Sequence, residues 1–255
     1  MKIHTIQTKS ALDNFTYVIE FNSKAICIDP YYPEQIMDVL EKEGLKLIAI
    51  INTHEHNDHT CGNKELKLKT NCEIWAHEKA NIDDVSKRLK ANDKIELDSN
   101  NYLEIMDTPG HTFTHVCIKV VENGVDTGVF TGDTLFCAGV GNCYSGDEET
   151  LYETISRQFF PLEESVNIYP GHDYLLNNLK FTLSIERDNE FAIKMLNEAQ
   201  NAMEKDKNII TDIEIERKIN LFFRLNKKRV REELGMINSS EKEVFLRLRS
   251  LRNRW

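Results

Sequence analysis

A dense cluster of metal-ligand side chains lies in residues 52–60. Four of six consecutive positions are histidine or aspartate: His54, His56, Asp58 and His59. Alternate residues of an extended segment share a face, so His54 and His56 can point to the same side. The other two follow where the chain is predicted to start a helix. Four such side chains are more than one four-coordinate ion needs once distant ligands are added.

Three further candidate ligands each follow a glycine at a predicted strand end. They are His111 in Pro-Gly-His, Asp133 in Gly-Asp, and His172 in Pro-Gly-His. Five histidines and two aspartates suit two divalent ions that share one carboxylate oxygen. Imidazole and carboxylate ligands favour zinc, iron or manganese. Because two close ions can hold a hydroxide at neutral pH, the predicted chemistry is hydrolysis.

The remaining histidines lack this context. A single histidine is more often a packed or surface residue than a ligand, and we interpret His4 and His77 as structural. For His115 two interpretations stay open: it orients a ligand or its own loop, or it only packs.

The elements that must position these residues form a β-rich first half. Strands are predicted at 15–21, 25–28, 45–51, 73–76, 102–106, 115–121 and 128–131. The run 45–51 is apolar almost throughout, which is typical of a strand covered on both faces, and it leads directly into the ligand cluster. Helices are predicted at 33–43, ending at Gly44, and at 151–160 and 174–184. This mixture predicts an α/β sandwich.

The region after about residue 186 is predicted to be helical. Apolar residues recur at helical spacing over 191–204. Thr211-x-x-Glu214 and Ser240-x-x-Glu243 match the capping-box pattern that begins a helix. We therefore expect a helical region at about 175–255.

Composition sets outer limits on the function. The chain has 255 residues, of which 40% are hydrophobic and 29% charged, so it can bury one large core or two smaller ones. No apolar run approaches the roughly 20 residues that span a bilayer, and the start lacks the pattern of a signal peptide. Six cysteines without a C-x-x-C pair indicate reduced thiols. We expect a cytoplasmic protein that does not act at a membrane.

The net charge of -10 is unevenly distributed. Residues 217–255 carry twelve lysines and arginines against four acidic side chains, whereas residues 1–216 carry 20 basic and 38 acidic ones. An acidic body disfavours nucleic-acid binding, which needs a broad basic face. The basic tail is either a solvated helix face or a surface for an anionic substrate.

The motifs described above resemble those of the metallo-β-lactamase superfamily. Within it, the chain resembles glyoxalase II (hydroxyacylglutathione hydrolase) along essentially its whole length. The segments that carry the narrower resemblance are 130–136 (FTGDTLF), 171–181 (GHDYLLNNLKF), 216–224 (ERKINLFFR) and 244–249 (VFLRLR).

The resemblance implies an αββα sandwich with a catalytic domain at 1–174 and a helical substrate-binding domain at 175–255. It assigns His54, His56 and His111 to one ion, Asp58, His59 and His172 to the other, and Asp133 to both. Asp58, His59 and Asp133 would be catalytic. The implied substrate contacts are Asn142, Cys143, Tyr144, His172, Asp173, Tyr174, Arg224 and Lys227, with Arg224 pairing with a carboxylate.

The resemblance also implies the reaction. A hydroxide held by two zinc ions, or by iron or manganese, would convert S-D-lactoylglutathione to D-lactate and glutathione, the second step of methylglyoxal detoxification. We expect a monomer whose partner is this small thioester. Two departures concern the thiol carrier: Asn142 replaces a usual basic residue, and Leu221 replaces a frequent proline.

Other functions remain open at this point. The chain could be a superfamily member with different chemistry, such as a persulfide dioxygenase, lactonase, RNase or β-lactamase, or a thioesterase for another thiol carrier. The dioxygenase leaves one metal site unused, whereas all seven ligands are present here. A non-catalytic protein of this fold would be expected to have lost ligands.

Overall fold

The computed structural model describes residues 1–205 and 207–255. Its internal contacts divide the chain into two compact units. The first unit comprises Met1–Thr108, Thr114–Gly132 and Pro170–His172, and the second comprises Pro109–Phe113, Asp133–Tyr169 and Asp173–Trp255. The domain boundary expected between residues 174 and 175 stays a prediction.

The first sheet of the first unit has six strands. They are Lys2–Gln7 (β1), Phe15–Phe21 (β2), Lys24–Ile28 (β3), Lys46–Ile51 (β4), Glu73–His77 (β5) and Lys87–Leu89 (β6). The spatial order is β1-β2-β3-β4-β5-β6; β2 is antiparallel to β1 and β3, and β3 to β6 run parallel. The predicted strands β2 to β5 are confirmed, whereas β1 and β6 are additional.

Helices cover one face of this sheet. They are Pro33–Glu43 (α1), the single turn Asn57–Thr60 (α2) and Asn63–Thr70 (α3). α1 has proline in its first turn and ends at Gly44, which has a φ of 66°, as predicted. Ile36 and Leu40 of α1 and Leu66 of α3 pack on the apolar side chains of β2 to β5.

The second sheet of the first unit is antiparallel. Its strands are Lys94–Glu96 (β7), Asn101–Asp107 (β8), Val116–Glu122 (β9) and Val125–Gly132 (β10), in the order β10-β9-β8-β7. The two sheets meet where the ring of Tyr17 on β2 lies 5.1 Å from that of Phe130 on β10. The buried hydroxyl of Tyr17 donates to the carbonyl of Pro170, 2.7 Å away. A buried aromatic pair whose polar tip has an acceptor is a stable way to join two sheets.

Parallel pairing aligns the strand ends that carry the ligand cluster. Ile28, the last residue of β3, pairs with Ile51, the last residue of β4. The residues that follow, Asp29 after β3 and Thr53 and His54 after β4, therefore emerge at the same edge of the sheet.

The second unit is mainly helical. It contains Leu135–Phe136 (β11) and Gly139–Val140 (β12), which form a short hairpin, and Asn167–Pro170 (β13), which pairs with Thr211–Asp212 (β14). Its helices are Glu148–Thr154 (α4), continued by a π-helical turn over Ile155–Phe159, and Leu175–Ile185 (α5), Glu190–Glu204 (α6), Ile213–Ile219 (α7), Lys228–Leu234 (α8) and Glu241–Arg252 (α9). A 3₁₀ turn spans Leu221–Phe223.

The second unit has its own core. Leu175 and Leu179 of α5 pack with Ala192 of α6 and Ile219 of α7. A row of aromatic rings joins α4, the 3₁₀ turn and α9, since the ring of Phe245 lies 5.4 Å from that of Tyr152 and 5.0 Å from that of Phe222. The α/β class and the helical C-terminal region are confirmed.

One helix start was predicted correctly and another was not. Ser240 and Glu243 form the predicted capping box of α9. The prediction for Thr211 is wrong, because α7 is capped by the side chain of Asp212. The hydroxyl of Thr211 instead donates to Glu216, 2.7 Å away. Within residues 1–205 and 207–255, no helix is both long and apolar enough to cross a membrane.

The pairing of Tyr17 and Phe130 predicts a large stability loss on truncation. We expect Phe130→Ala to lower the free energy of unfolding by about 3–5 kcal/mol, because a buried ring leaves a cavity. Urea unfolding measures this loss. The matched control is Val125→Ala in the same strand, where an exposed side chain should cost no more than about 0.5 kcal/mol. Equal losses in the two variants would contradict the assignment of this core.

Candidate metal centre and ligand cavity

A buried carboxylate organises the ligand cluster of the first unit. Asp29 accepts three hydrogen bonds: from the Thr53 backbone N–H at 2.8 Å, from the Thr53 hydroxyl at 2.6 Å and from Nδ1 of His59 at 2.9 Å. Because a carboxylate only accepts, the proton of neutral His59 lies on Nδ1 and the lone pair on Nε2. Asp29 therefore sets both the tautomer and the orientation of this imidazole.

The same carboxylate acts on His54 through Thr53. The single hydroxyl proton of Thr53 goes to Asp29, so its oxygen can only accept from Nδ1 of His54, 3.0 Å away. Nε2 of His54 then carries the lone pair and lies 3.0 Å from Nδ1 of His56.

Three acceptor atoms converge within the first unit. Nε2 of His59 lies 3.2 Å from Nε2 of His172, and Oδ2 of Asp58 lies 3.4 Å from both nitrogens. Nδ1 of His172 donates to the carbonyl of Leu12 at 2.7 Å, so its lone pair also lies on Nε2. A tetrahedral ion with bonds of about 2.0–2.1 Å separates its ligand atoms by about 3.3 Å. Asp58, His59 and His172 thus fit a divalent cation in both chemistry and spacing.

The second unit orients one further histidine by a similar device. Nδ1 of His111 donates to the carbonyl of Asn142 at 2.7 Å, and its Nε2 lies 3.5 Å from Oδ2 of Asp133. Gly141 permits this approach: a Cβ at this position would lie 1.9 Å from the Asp133 carbonyl and 3.4 Å from Nδ1 of His111. No other residue fits there without moving the loop.

The histidines outside the predicted cage have separate environments. His115 is buried, its ring stacks on that of His54 at 5.0 Å, and its Nδ1 lies 2.9 Å from the hydroxyl of Thr108. A Cβ at Gly132 would lie 2.7 Å from Nε2 of His115, so this ring also limits that position to glycine. Of the two open interpretations, these contacts favour the one in which His115 supports a ligand. His4 lies 2.8 Å from Glu20, and His77 lies 3.5 Å from Asp107.

A cavity of about 250 Å³ lies within the second unit. Its lining combines apolar, amide, phenol and guanidinium groups: Phe136, Val140, Asn142, Tyr144, Tyr174, Asn178, Arg249, Arg252, Asn253 and Trp255. Three of these residues, Asn142, Tyr144 and Tyr174, belong to the predicted substrate contacts. The two arginines do not.

The two arginines have different tasks. Arg249 is 3% exposed, and its guanidinium donates to the carbonyls of Val140 and Gly141 at 2.8 and 3.0 Å. Burial lowers the pKa of Arg249 to about 10, and at this value the side chain is still charged at neutral pH. It thereby anchors the loop whose next carbonyl, at Asn142, orients His111. Arg252 uses Nη2 to donate to the Asn178 side chain at 3.1 Å and lines the cavity.

The other predicted contacts near the cavity differ in exposure. Tyr144 is 77% exposed, and the ring of Tyr174 packs edge-on against Phe136 at 5.1 Å. Burial raises the pKa of the Cys143 thiol to about 12, so this thiol is a poor nucleophile. Asp173 is half-buried and directly follows His172.

Arg224, predicted to bind a substrate carboxylate, already has a protein carboxylate as its partner. Its Nε and Nη2 donate to the two oxygens of Glu186 at 2.5 and 2.8 Å. Glu186 is 3% exposed and Arg224 is largely buried, so the pair is a structural fork that joins two segments of the second unit. Lys227 is exposed and precedes the first residue of α8.

Sequence reasoning missed Asp29, Arg249 and Arg252 as functional residues. Asp29 stands after a buried strand and before a proline, a context that is typical of a turn. Arg249 is the last residue of the motif 244–249 and Arg252 follows three positions later, but this helical spacing in a basic tail is shared by many solvated helix faces.

The role of Asp29 predicts the effect of a nearly isosteric change. The two carboxylate oxygens of Asp29 accept from three donors. An Asp29→Asn side chain offers these donors only one acceptor oxygen, and its amide N–H groups face one of them. We expect metal affinity to fall by about 10–100-fold, as is usual for residues that support ligands. Chelator competition measures the affinity, and ¹⁵N NMR of the metal-free protein should show an altered His59 tautomer. Unchanged affinity and tautomer would contradict the role of Asp29.

Comparison with known proteins identifies the family. Residues 11–81 match the model of the metallo-beta-lactamase superfamily, and residues 173–255 match the hydroxyacylglutathione hydrolase C-terminus. A hydroxyacylglutathione hydrolase from Nitrosococcus oceani is 38% identical over 266 aligned positions, which cover 100% of both chains.

Two solved structures share the fold. ETHE1 from Myxococcus xanthus aligns with a TM-score of 0.66 at 20% identity, covering 99% of this chain and 98% of that one. TTHA1623 in a di-iron-bound form aligns with a TM-score of 0.59 at 20% identity, covering 87% and 100%. They confirm the metallo-β-lactamase fold. By its full-length identity to a curated relative and its two family matches, the chain belongs to the hydroxyacylglutathione hydrolase (glyoxalase II) family of metal-dependent hydrolases.

Proposed function

We propose that the protein hydrolyses S-(2-hydroxyacyl)glutathione thioesters and converts S-D-lactoylglutathione to D-lactate and glutathione. The observation that carries the proposal is the convergence of Asp58, His59 and His172, in which Asp29 and Leu12 direct both Nε2 lone pairs to one point. Three acceptor atoms that converge in this way form the arrangement expected of a cation-binding site. The full-length relationship to a hydroxyacylglutathione hydrolase supports the choice of substrate.

The proposed ligand set contains seven side chains for two divalent ions. One ion would be held by His54, His56 and His111, the other by Asp58, His59 and His172, and Asp133 would serve both. Zinc is the proposed metal because tetrahedral imidazole and carboxylate sites suit it. Iron is the first alternative, since a protein of this fold is known in a di-iron-bound form, and manganese is the second.

When bound, the ions would activate water as a nucleophile at neutral pH and polarise the thioester carbonyl. The chain's own contribution is orientation and proton handling. Oδ2 of Asp58 faces the two imidazoles, which leaves Oδ1 to orient the attacking water and accept its proton. The leaving group is a thiol with a pKa of about 8.5, so it departs as a thiolate without a strong general acid.

The cavity of the second unit is the proposed site for glutathione. Glutathione is a small anionic peptide, and the cavity offers a guanidinium from Arg252, amide groups and phenol rings. We assign the recognition of a substrate carboxylate to Arg252 in place of Arg224, because Glu186 already neutralises Arg224. The remaining expectations, a monomer in the cytoplasm, are part of the same proposal.

The function is tested by hydrolysis assays on the full chain with measured metal content. We expect two metal equivalents, turnover of S-D-lactoylglutathione, loss of turnover after chelation and recovery on adding zinc. The same acyl group on coenzyme A should react with a much lower kcat/KM. Equal rates would refute the assigned thiol carrier, and metal-loaded protein that hydrolyses neither thioester would refute the function.

The two candidate arginines predict opposite phenotypes. We expect Arg252→Ala to raise KM for S-D-lactoylglutathione at least about tenfold with kcat within about threefold, because binding and not the reacting atoms is affected. Arg224→Ala should leave KM unchanged but lower the free energy of unfolding by about 3–5 kcal/mol, because it leaves Glu186 buried and unpaired. Steady-state kinetics and urea unfolding measure the two effects.

Arg254→Ala is the matched control, since it removes the same charge from the same segment. Arg254 bonds to Ser250 at the surface, and its loss should change KM less than about twofold. A KM effect in Arg224→Ala without one in Arg252→Ala would return the substrate role to Arg224.

A further inference from the structure

The loop of residues 8–14, which joins β1 to β2, lies beside two of the proposed ligands. The carbonyl of Leu12 accepts the Nδ1 proton of His172, and the Phe15 N–H donates to the carbonyl of Gly171 at 2.8 Å. Within the loop, the N–H of Thr8 donates to the carbonyl of Asn14 at 3.0 Å, which closes it. The loop is therefore built against the segment that carries His172.

The side chain of Asn14 makes the second link from this loop. Its Nδ2 donates to Oδ2 of Asp58 at 2.9 Å, the same oxygen that lies 3.4 Å from the two imidazole nitrogens. Asn14 is 1% exposed, so water does not compete for this bond. Nothing in the ligand motif itself points to this residue, which lies 44 positions earlier in the chain.

Ser10 fixes which end of the Asn14 amide faces Asp58. The hydroxyl of Ser10 accepts the backbone N–H of Asn14 at 3.1 Å and donates its proton to Oδ1 of Asn14 at 2.7 Å. With Oδ1 committed to Ser10, the amide must turn its N–H groups toward Asp58. The donor is thus oriented before any ion binds.

The Asp58 carboxylate needs such a donor to hold its orientation. It lies in the single-turn helix α2, and its side chain is 21% exposed, so its carboxylate is partly open to water. His59 and His172, by contrast, are held through Nδ1 by Asp29 and Leu12.

We infer that Asn14 is a positioning residue that holds Oδ2 of Asp58 in the metal group. The inference rests on the proposed function, because it assigns Asp58 a metal ligand's role. It adds a requirement that the ligand set does not contain: one of the two ions depends on a side-chain amide in the loop of residues 8–14.

The test is Asn14→Leu, which keeps the branched shape and the number of heavy atoms and removes the donor. Zinc affinity is measured by chelator competition, which resolves the two equivalents, and the fold by circular dichroism of the metal-free protein. We expect one zinc equivalent to bind about 10–100-fold more weakly and the other to stay within about threefold of wild type.

Two further variants keep the result interpretable. Ser10→Ala leaves Asn14 in place but frees its amide to turn, so it should weaken the same single equivalent by a smaller factor. This variant decides the question if Asn14→Leu does not fold. Asn189→Leu removes a buried asparagine with three side-chain bonds in the second unit, and it should retain both equivalents.

Each outcome decides between the possibilities. Selective loss of one equivalent in Asn14→Leu and Ser10→Ala supports the inference. Wild-type affinity for both equivalents overturns it, as does equal weakening of both, which would mean a general effect on the fold. A wild-type protein that binds no zinc, iron or manganese would instead refute the proposed function itself.

Discussion

The arrangement of the first unit depends on the buried carboxylate of Asp29. Burying a charge is costly unless its oxygens are satisfied, and here three donors satisfy them. The donors come from Thr53 and His59, so the charge is stable only if the segment after β4 lies against the end of β3. Parallel pairing of these strands provides that placement. Asp29 itself adopts a φ of 48°, a conformation that costs energy in a residue with a side chain and that persists because the three bonds require it.

In the second unit the corresponding constraint is the close backbone packing of residues 139–142. Gly141 approaches the Asp133 carbonyl so closely that no side chain fits, and Arg249 donates to the consecutive carbonyls of Val140 and Gly141. One short segment thus serves both the cavity and the orientation of His111. A buried arginine that donates to backbone carbonyls is a rigid support, because its planar guanidinium fixes two acceptors at once.

The sequence predicted the residues whose chemistry is concentrated in short motifs, and it missed those whose partners are distant. His54, His56, Asp58 and His59 stand within six positions, so their types and spacing are visible without a structure. Asp29 meets its partners 24 and 30 residues later, and no local pattern distinguishes it from a turn aspartate. Strands β2 to β5 were predicted because they are apolar, whereas β1 is only half-buried and β6 has three residues.

Arginines in the basic tail show the same limit. Arg224 and Arg252 are equivalent in a sequence with twelve basic residues in its last 39 positions. What separates them is Glu186, which lies 38 residues before Arg224 and neutralises it. The shift of a helix cap from Thr211 to Asp212 has a related cause, because the Thr211 hydroxyl is used by the buried Glu216.

The four proposed metal-ligand histidines whose Nδ1 donates to an oxygen atom divide into two classes with different vulnerability to mutation. His59 and His54 are oriented by side chains, those of Asp29 and Thr53, so single-nucleotide changes can remove the support. His111 and His172 are oriented by the main-chain carbonyls of Asn142 and Leu12, which every amino acid possesses. No substitution deletes those acceptors, whereas a one-residue insertion or deletion in either loop would displace them. Over evolutionary time the composition of the loop of residues 8–14 and of the segment 139–142, apart from Gly141, can therefore vary more freely than their length.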